Sequence, residues 1–147
     1  MSHGNGGREN IMRTRALLPL LIVFLLSALL DPGLLQGEKD TPTLVRAFVC
    51  EDVKDGRPLH QAIVFPVGIG KVFCYTDFEA VPQRTIVYHN WYRKDELNTR
   101  IRLVLQPPRW ATYSTIHLRE IDKGPWRIEI TDQEEQVLRI LRFSITD

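Results

Sequence analysis

Aromatic side chains interspersed with arginines are the residues of this chain best suited to binding chemistry. Aromatic ring faces stack on the CH groups of sugars, and guanidinium groups bind carboxylate or phosphate. Paired prolines at 107–108 stiffen the backbone directly before Arg109, so this arginine is a candidate for a donor held in one position. The sequence predicts a ligand-binding surface formed by Trp91, Tyr92, Arg93, Arg109 and Tyr113.

A competing interpretation assigns the same residues to the scaffold. In a small domain, tryptophans such as Trp91, Trp110 and Trp126 belong most economically in the core. Arginines between them are then a solvated face. Alternatively, Arg109 stacks on Trp110 or Trp91 as a cation–π pair that stabilises the fold and binds nothing.

Candidate catalytic residues are few. His60, His89 and His117 lie on separate predicted strands, without a nucleophile elbow or a glycine-rich phosphate loop. A pairing of Cys74 with His89 has no local sequence signature. We therefore expect a non-catalytic module, with a small hydrolase that uses His89 or Cys74 as the alternative.

Cys50 and Cys74 are the only two cysteines of the chain. In an exported domain we expect them to form a disulfide, because such compartments are oxidising. The alternative is two buried free thiols, since a free cysteine behaves as a small apolar residue. No second cysteine pair and no spaced histidine pair accompanies them, so the sequence predicts neither a metal site nor a cofactor.

The overall charge is nearly balanced, with 19 basic and 18 acidic residues and a formal net charge of +1. A nucleic-acid-binding protein normally has a strong basic excess. The composition therefore argues against a nucleic-acid partner and leaves an envelope protein or an envelope polysaccharide as the expected partner.

An uncharged apolar run, Ala16–Leu30, follows three arginines and ends at Asp-Pro-Gly. This pattern is typical of an export signal, and the run is short for a membrane span. Either it is cleaved, or it is retained as an inner-membrane anchor with the domain facing the periplasm. Translation from Met12 in place of Met1 would give a more compact signal. We assign 1–37 to the signal or anchor, 38–42 to a linker, and 43–147 to one domain.

The domain is predicted to be all-β. Short alternating segments separated by Gly, Pro and Asp-Gly turns favour a single small antiparallel β-sandwich, immunoglobulin-like in general architecture. The predicted strands are Leu44–Glu51, His60–Val67, Lys71–Phe78, Arg84–Arg93, Asn98–Leu105, Trp110–Arg119, Trp126–Thr131 and Val137–Ile145. Lys94–Leu97 is predicted as a possible single helical turn.

Four ordered motifs carry a resemblance to a known family. They are Ile86-Val87-Tyr88-His89-Asn90-Trp91-Tyr92, Pro108-Arg109-Trp110-Ala111-Thr112-Tyr113-Ser114, Lys123-Gly124-Pro125-Trp126-Arg127 and Arg142-Phe143-Ser144-Ile145-Thr146-Asp147. Together they resemble the bacterial domain-of-unknown-function family twenty-nine-fourteen. The resemblance implies a small β-rich domain that is frequently exported or membrane-tethered. It implies no known activity and no catalytic residues.

Overall fold

Alternation of apolar and polar residues organises the chain into strands in a computed structural model that describes residues 41–147. The predicted signal or anchor at Ala16–Leu30 lies outside the described residues. Within residues 41–147, no helix is long and apolar enough to cross a membrane.

Nine strands and two short 3₁₀ turns make up this part of the chain. The strands are β1 (Thr43–Lys54), β2 (Arg57–Gln61), β3 (Val64–Pro66), β4 (Lys71–Glu79), β5 (Thr85–Arg93), β6 (Glu96–Leu105), β7 (Trp110–His117), β8 (Gly124–Asp132) and β9 (Val137–Thr146). The 3₁₀ turns are Val67–Ile69 and Glu120–Asp122. A four-stranded sheet has the order β2-β1-β4-β7, and a five-stranded sheet has the order β3-β9-β8-β5-β6. The predicted all-β sandwich is therefore confirmed.

The segment predicted as one strand, His60–Val67, is divided between the two sheets. β2 pairs with β1, whereas β3 pairs with β9, and this second pairing is parallel. The two strands are separated at Ala62 and Ile63, whereas His60, which has a φ of 54°, lies within β2. The sandwich is therefore antiparallel except at the β3 edge.

Two tight hairpins have left-handed backbone at both central residues. Asp55 and Gly56 have φ values of 49° and 69°, and Lys94 and Asp95 have values of 47° and 65°. Positive φ at both positions is the signature of the type I′ turn, whose twist matches that of the flanking strands. Asp-Gly is a strong sequence signal for this turn. Lys-Asp is not such a signal, and the second hairpin stands where the sequence predicts a single helical turn at Lys94–Leu97.

The core is formed by the inward side chains of both sheets. Trp91 of β5 is fully buried, and its ring meets Phe143 of β9 edge-on at 6.0 Å between centroids. Trp126 of β8 stacks on the same phenylalanine at 6.1 Å. Large buried aromatics of this kind dominate the apolar area that a small domain removes from water. The expectation that Trp126 belongs to the core is confirmed, whereas the same expectation for Trp110 is wrong, because Trp110 is 40% exposed.

Strand alternation assigns the remaining side chains to two outer faces. The outer face of the four-stranded sheet, here the aromatic face, carries Phe48, Phe73, Tyr75 and Tyr113. The outer face of the five-stranded sheet, here the arginine face, carries Arg100, Arg102, Arg127 and Arg142.

Candidate functional site

The five residues predicted to form one binding surface lie in different places. Trp91 is in the core with no exposed surface, so its assignment to a surface is wrong. Tyr92 points outward on the arginine face. Arg93, at the end of β5, donates to the backbone carbonyl of Ile121. Only Arg109 and Tyr113 share a face, because both border β4 on the outer side of the four-stranded sheet.

Aromatic rings form the centre of the aromatic face. Phe48 of β1, Tyr75 of β4 and Tyr113 of β7 are direct cross-strand partners. Phe48 stacks on Tyr75 with 5.4 Å between centroids, and Phe73 meets Tyr113 edge-on at 5.6 Å. Tyr75 is 3% exposed and Tyr113 is 47% exposed. The face therefore has a packed aromatic base with one ring that stands open to solvent.

Two arginines converge on one buried carboxylate beside these rings. Arg46 of β1 donates through Nη2 to Asp77 Oδ2 at 2.6 Å, and Arg109 donates through Nη2 to the same oxygen at 2.7 Å. Arg109 Nη1 also lies 3.0 Å from Glu79 Oε1. The side chain of Asp77 is 1% exposed, whereas those of Arg46 and Arg109 are 54% and 55% exposed.

The carboxylate therefore orients both guanidinium groups while leaving half of each in solvent. The hydrogen bond from Arg109, together with that from Arg46, holds the pKa of Asp77 below its ordinary value despite its burial. Nη1 of Arg46 has no acceptor among the described residues. Two cations and two carboxylates make this cluster formally neutral, and it presents fixed donors beside the exposed ring of Tyr113.

On the arginine face, the tyrosines are already covered by arginines of the same chain. Arg100 lies 3.8 Å above the ring of Tyr88, and Arg127 lies 4.2 Å above the ring of Tyr92. Such pairs contribute about 0.5–2 kcal/mol to folding. Because Arg127 occupies the face of Tyr92, the scaffold interpretation accounts for this tyrosine. Arginine cation–π pairs are therefore present on this face, but they join Arg100 and Arg127 to tyrosines. The sequence suggests such a pair for Arg109 with a tryptophan.

A cavity of about 340 Å³ lies at one end of the five-stranded sheet, beside the Lys94–Asp95 turn. Three cationic side chains line it, from Lys94, Arg127 and Arg142. The sequence does not identify these residues as a group, because they come from three segments that only the sheet order brings together. The sequence contains one hint: strand alternation places both Arg127 and Arg142 on the outer face of the sheet.

The two cysteines do not form the predicted disulfide. Both are buried free thiols on adjacent strands. Cys50 pairs directly with Phe73, and Phe73 is the neighbour of Cys74, so the two sulfurs point to opposite faces of the sheet. Burial raises the pKa of Cys50 to about 11 and raises the pKa of Cys74 further, so both remain protonated thiols.

A chain of buried hydrogen bonds crosses the core at His89. Nδ1 of His89 is 2.7 Å from Ser114 Oγ, and Nε2 is 3.3 Å from Thr76 Oγ1. Trp91 Nε1 donates to Ser114 Oγ at 3.1 Å, and Thr76 Oγ1 donates to the carbonyl of Thr112 at 3.4 Å.

One assignment of protons satisfies every donor in this chain. Trp91 donates to Ser114, Ser114 donates to Nδ1 of His89, Nε2–H of His89 donates to Thr76, and Thr76 donates to a carbonyl. Burial lowers the pKa of His89 to about 3, so the ring is neutral, as this assignment requires. His89 has no exposed surface.

The described part of the chain offers no ready metal site. Among residues 41–147, no group of three His, Cys, Asp or Glu side chains is arranged to hold a metal ion. His60 pairs with Glu51 at 3.0 Å on the surface, far along the sequence from His89.

Comparisons with known proteins give a family match over part of the chain and no activity. No curated protein matches the chain significantly. Among solved structures, a beta-glucosidase from Kluyveromyces marxianus is similar with a TM-score of 0.43 and 12% identity. The similar region covers 74% of this chain and only 15% of that enzyme. Residues 84–145 match the family described as "Protein of unknown function (DUF2914)", which confirms over those residues the family that the sequence motifs indicate.

Proposed function

We propose that the sandwich is a non-catalytic, exported module that binds an envelope glycan on its aromatic face. The observation that carries the proposal is the pair of half-exposed arginines, Arg46 and Arg109, held by Asp77 next to the exposed ring of Tyr113. A sugar needs an apolar surface for its CH groups and fixed polar groups for its hydroxyls. This face supplies both.

The charge of the cluster favours a neutral sugar. Arg46 and Arg109 are balanced by Asp77 and Glu79, so an added carboxylate or phosphate gains little net attraction. Guanidinium N–H groups donate to hydroxyl and acetamido oxygens, and the exposed Glu79 accepts from sugar hydroxyls. An N-acetylated neutral glycan fits these groups.

Burial of the catalytic candidates supports a binding role over the hydrolase alternative. His89 and Cys74 are both fully buried, so solvent-borne substrate does not reach them. His89 is committed on both ring nitrogens, and the raised pKa of Cys74 disfavours the nucleophilic thiolate. Export is supported by the sequence pattern at Ala16–Leu30.

The test is calorimetric titration of the full chain with a tetramer of N-acetylglucosamine. Substitution Tyr113→Ala should weaken binding about tenfold, which corresponds to ~1.4 kcal/mol of lost stacking. The matched control is Tyr92→Ala, which removes the same ring from the opposite sheet, where Arg127 already covers it. The control should bind as the unaltered protein does.

Three results would contradict the proposal. One is equal loss of binding in both tyrosine variants. Another is tighter binding of an anionic galacturonate tetramer than of the neutral sugar. The third is absence of sugar binding together with retention of an envelope protein on this face, which would make the module a protein-binding one.

A further inference from the structure

We propose that the cavity beside the Lys94–Asp95 turn is a second binding site, specific for a small organic anion that combines a carboxylate or phosphate group with an apolar body. This site lies on the five-stranded sheet and does not depend on the proposed glycan surface. It is formed where β8 and β9 run side by side next to the β5–β6 hairpin.

The main evidence for this site is a pair of arginines that lie opposite each other on two neighbouring strands. Arg127 of β8 and Arg142 of β9 are direct cross-strand partners on the same outward face. Like charges placed opposite each other destabilise a sheet unless something neutralises them. Arg127 is neutralised by Asp95 and by Glu129, whose Oε1 lies 2.9 Å from Nε. Arg142 has no carboxylate partner in the described part of the chain.

Lys94 adds a third cation, from a turn whose backbone is hydrogen-bonded to β8. Its N–H donates to the carbonyl of Pro125 at 3.2 Å. Its Cε lies 3.8 Å from the position that a Cβ on Gly124 would occupy, so the lysine stem crosses the open backbone at the start of β8. No carboxylate pairs with its ammonium group among residues 41–147. The cavity lining therefore has three cations against one carboxylate, Asp95.

The other wall of the cavity is apolar. Ile63 and Val64, at the start of the β3 edge, are 73% and 52% exposed, and both line the cavity. Trp126 and Phe143, whose side chains belong to the core, also line the cavity, and Ser144 adds a hydroxyl. Exposed apolar side chains beside unpaired cations fit a ligand with an apolar body and an anionic head.

The size of the cavity limits the ligand. Ligand sites commonly have volumes of about 300–1,000 Å³. At about 340 Å³, this cavity is at the small end and suits a single ring with its head group. The arginines match both head groups, because a guanidinium binds carboxylate and phosphate through paired N–H donors.

The probes are benzoate, phenyl phosphate, benzyl alcohol and inorganic phosphate, each titrated into the full chain. Binding is followed by the indole N–H resonance of Trp126 in NMR spectra and by calorimetry. We expect benzoate or phenyl phosphate to shift this resonance, and the tighter of the two identifies the head group. Benzyl alcohol and inorganic phosphate should each bind at least about tenfold more weakly, because each lacks one half of the recognised chemistry.

Paired arginine variants test the role of Arg142. R142Q should weaken binding of the tighter probe at least about tenfold. R102Q is the matched control, because Arg102 is another outward arginine of the same sheet without a carboxylate partner among the described residues, and it does not line the cavity.

Equal weakening by R142Q and R102Q would overturn the proposal, since it would show attraction by overall charge alone. Equal affinity for benzyl alcohol and benzoate would also overturn it, as would the absence of a shift at Trp126 with every probe. A small difference in melting temperature between the two variants confirms that both remain folded, because exposed arginines without ion partners contribute little to stability.

Discussion

Removal of the Ser114 hydroxyl should destabilise the fold far more than the loss of one small polar group suggests. Ser114 Oγ accepts from Trp91 Nε1 at 3.1 Å and lies 2.7 Å from His89 Nδ1. Ser114→Ala leaves both nitrogens without their partner. Trp91 and His89 have no exposed surface, so water does not replace the lost oxygen without opening the core.

The expected magnitude follows from the two unpaired groups. A buried polar group without a partner costs about 1–3 kcal/mol, and two such groups set a range of about 2–6 kcal/mol. Partial relaxation of the neighbours favours the lower half of this range, so we expect a loss of about 3 kcal/mol in the free energy of unfolding. For a domain of this size that corresponds to a fall in melting temperature of about 12–24 °C.

The assay is urea denaturation of the purified protein, followed by tryptophan fluorescence. Ser144→Ala is the matched control, because the same atom is removed from a half-buried position where the hydroxyl has no hydrogen-bond partner among the described residues. The control should change the free energy of unfolding by less than about 0.5 kcal/mol.

A Ser114→Ala variant as stable as the control would refute the reasoning. It would show that the chain from Trp91 to Thr76 is not a set of mutually dependent hydrogen bonds. If the variant also has a smaller slope of unfolding free energy against urea concentration, its denatured state is more compact, and the stability loss is not due to the hydrogen bonds alone.

The remaining predictions concern pH, thiols and domain limits. Because burial lowers the pKa of His89 to about 3, the unfolded chain binds a proton between about pH 6.5 and pH 3 that the folded protein does not. Stability should therefore fall with decreasing pH across this window, by up to ~1.4 kcal/mol per unit, and the fall should be shallower in His89→Gln; identical slopes would contradict this. Thiol titration should find two reactive groups in denatured, unreduced protein and almost none in native protein, because Cys50 and Cys74 are buried and free; a missing thiol after denaturation would instead indicate a disulfide. A fragment of 38–147 should give a β-type circular dichroism spectrum and a cooperative melt, since all nine strands lie within it; an unfolded fragment would show that earlier residues are required.

The strands were predictable because local patterns determine them. Alternation in Trp126–Thr131 and the Asp55-Gly56 turn each identify a structure that depends on neighbouring residues alone. The division between Gln61 and Val64 was not predictable, because β3 pairs with β9, a partner far along the chain. Long-range pairing of this kind has no local signature.

The candidate sites were predictable only in part. Of the five residues predicted to form one surface, Arg109 and Tyr113 lie on the same face of the four-stranded sheet. Asp77, which holds Arg46 and Arg109, was missed, because a single aspartate in a mostly apolar strand gives no sign that two distant arginines will bury it. The disulfide prediction is wrong because the pairing register of β1 and β4 places the side chains of Cys50 and Cys74 on opposite faces of one sheet.

The parallel pairing of β3 with β9 has a consequence for the order of assembly. Val64 contacts Ser144, so this edge forms only after most of the sandwich has been brought together. Closing so long a loop has an entropic cost before any contact compensates for it, and topologies with such distant pairings fold in milliseconds to seconds. β9 pairs with β8 across a short local turn, so the long-range step is the docking of β3 on the other edge of β9. Until β3 docks, the edge of β9 offers unpaired backbone groups to other chains, so we expect this docking to be the step at which folding competes with aggregation.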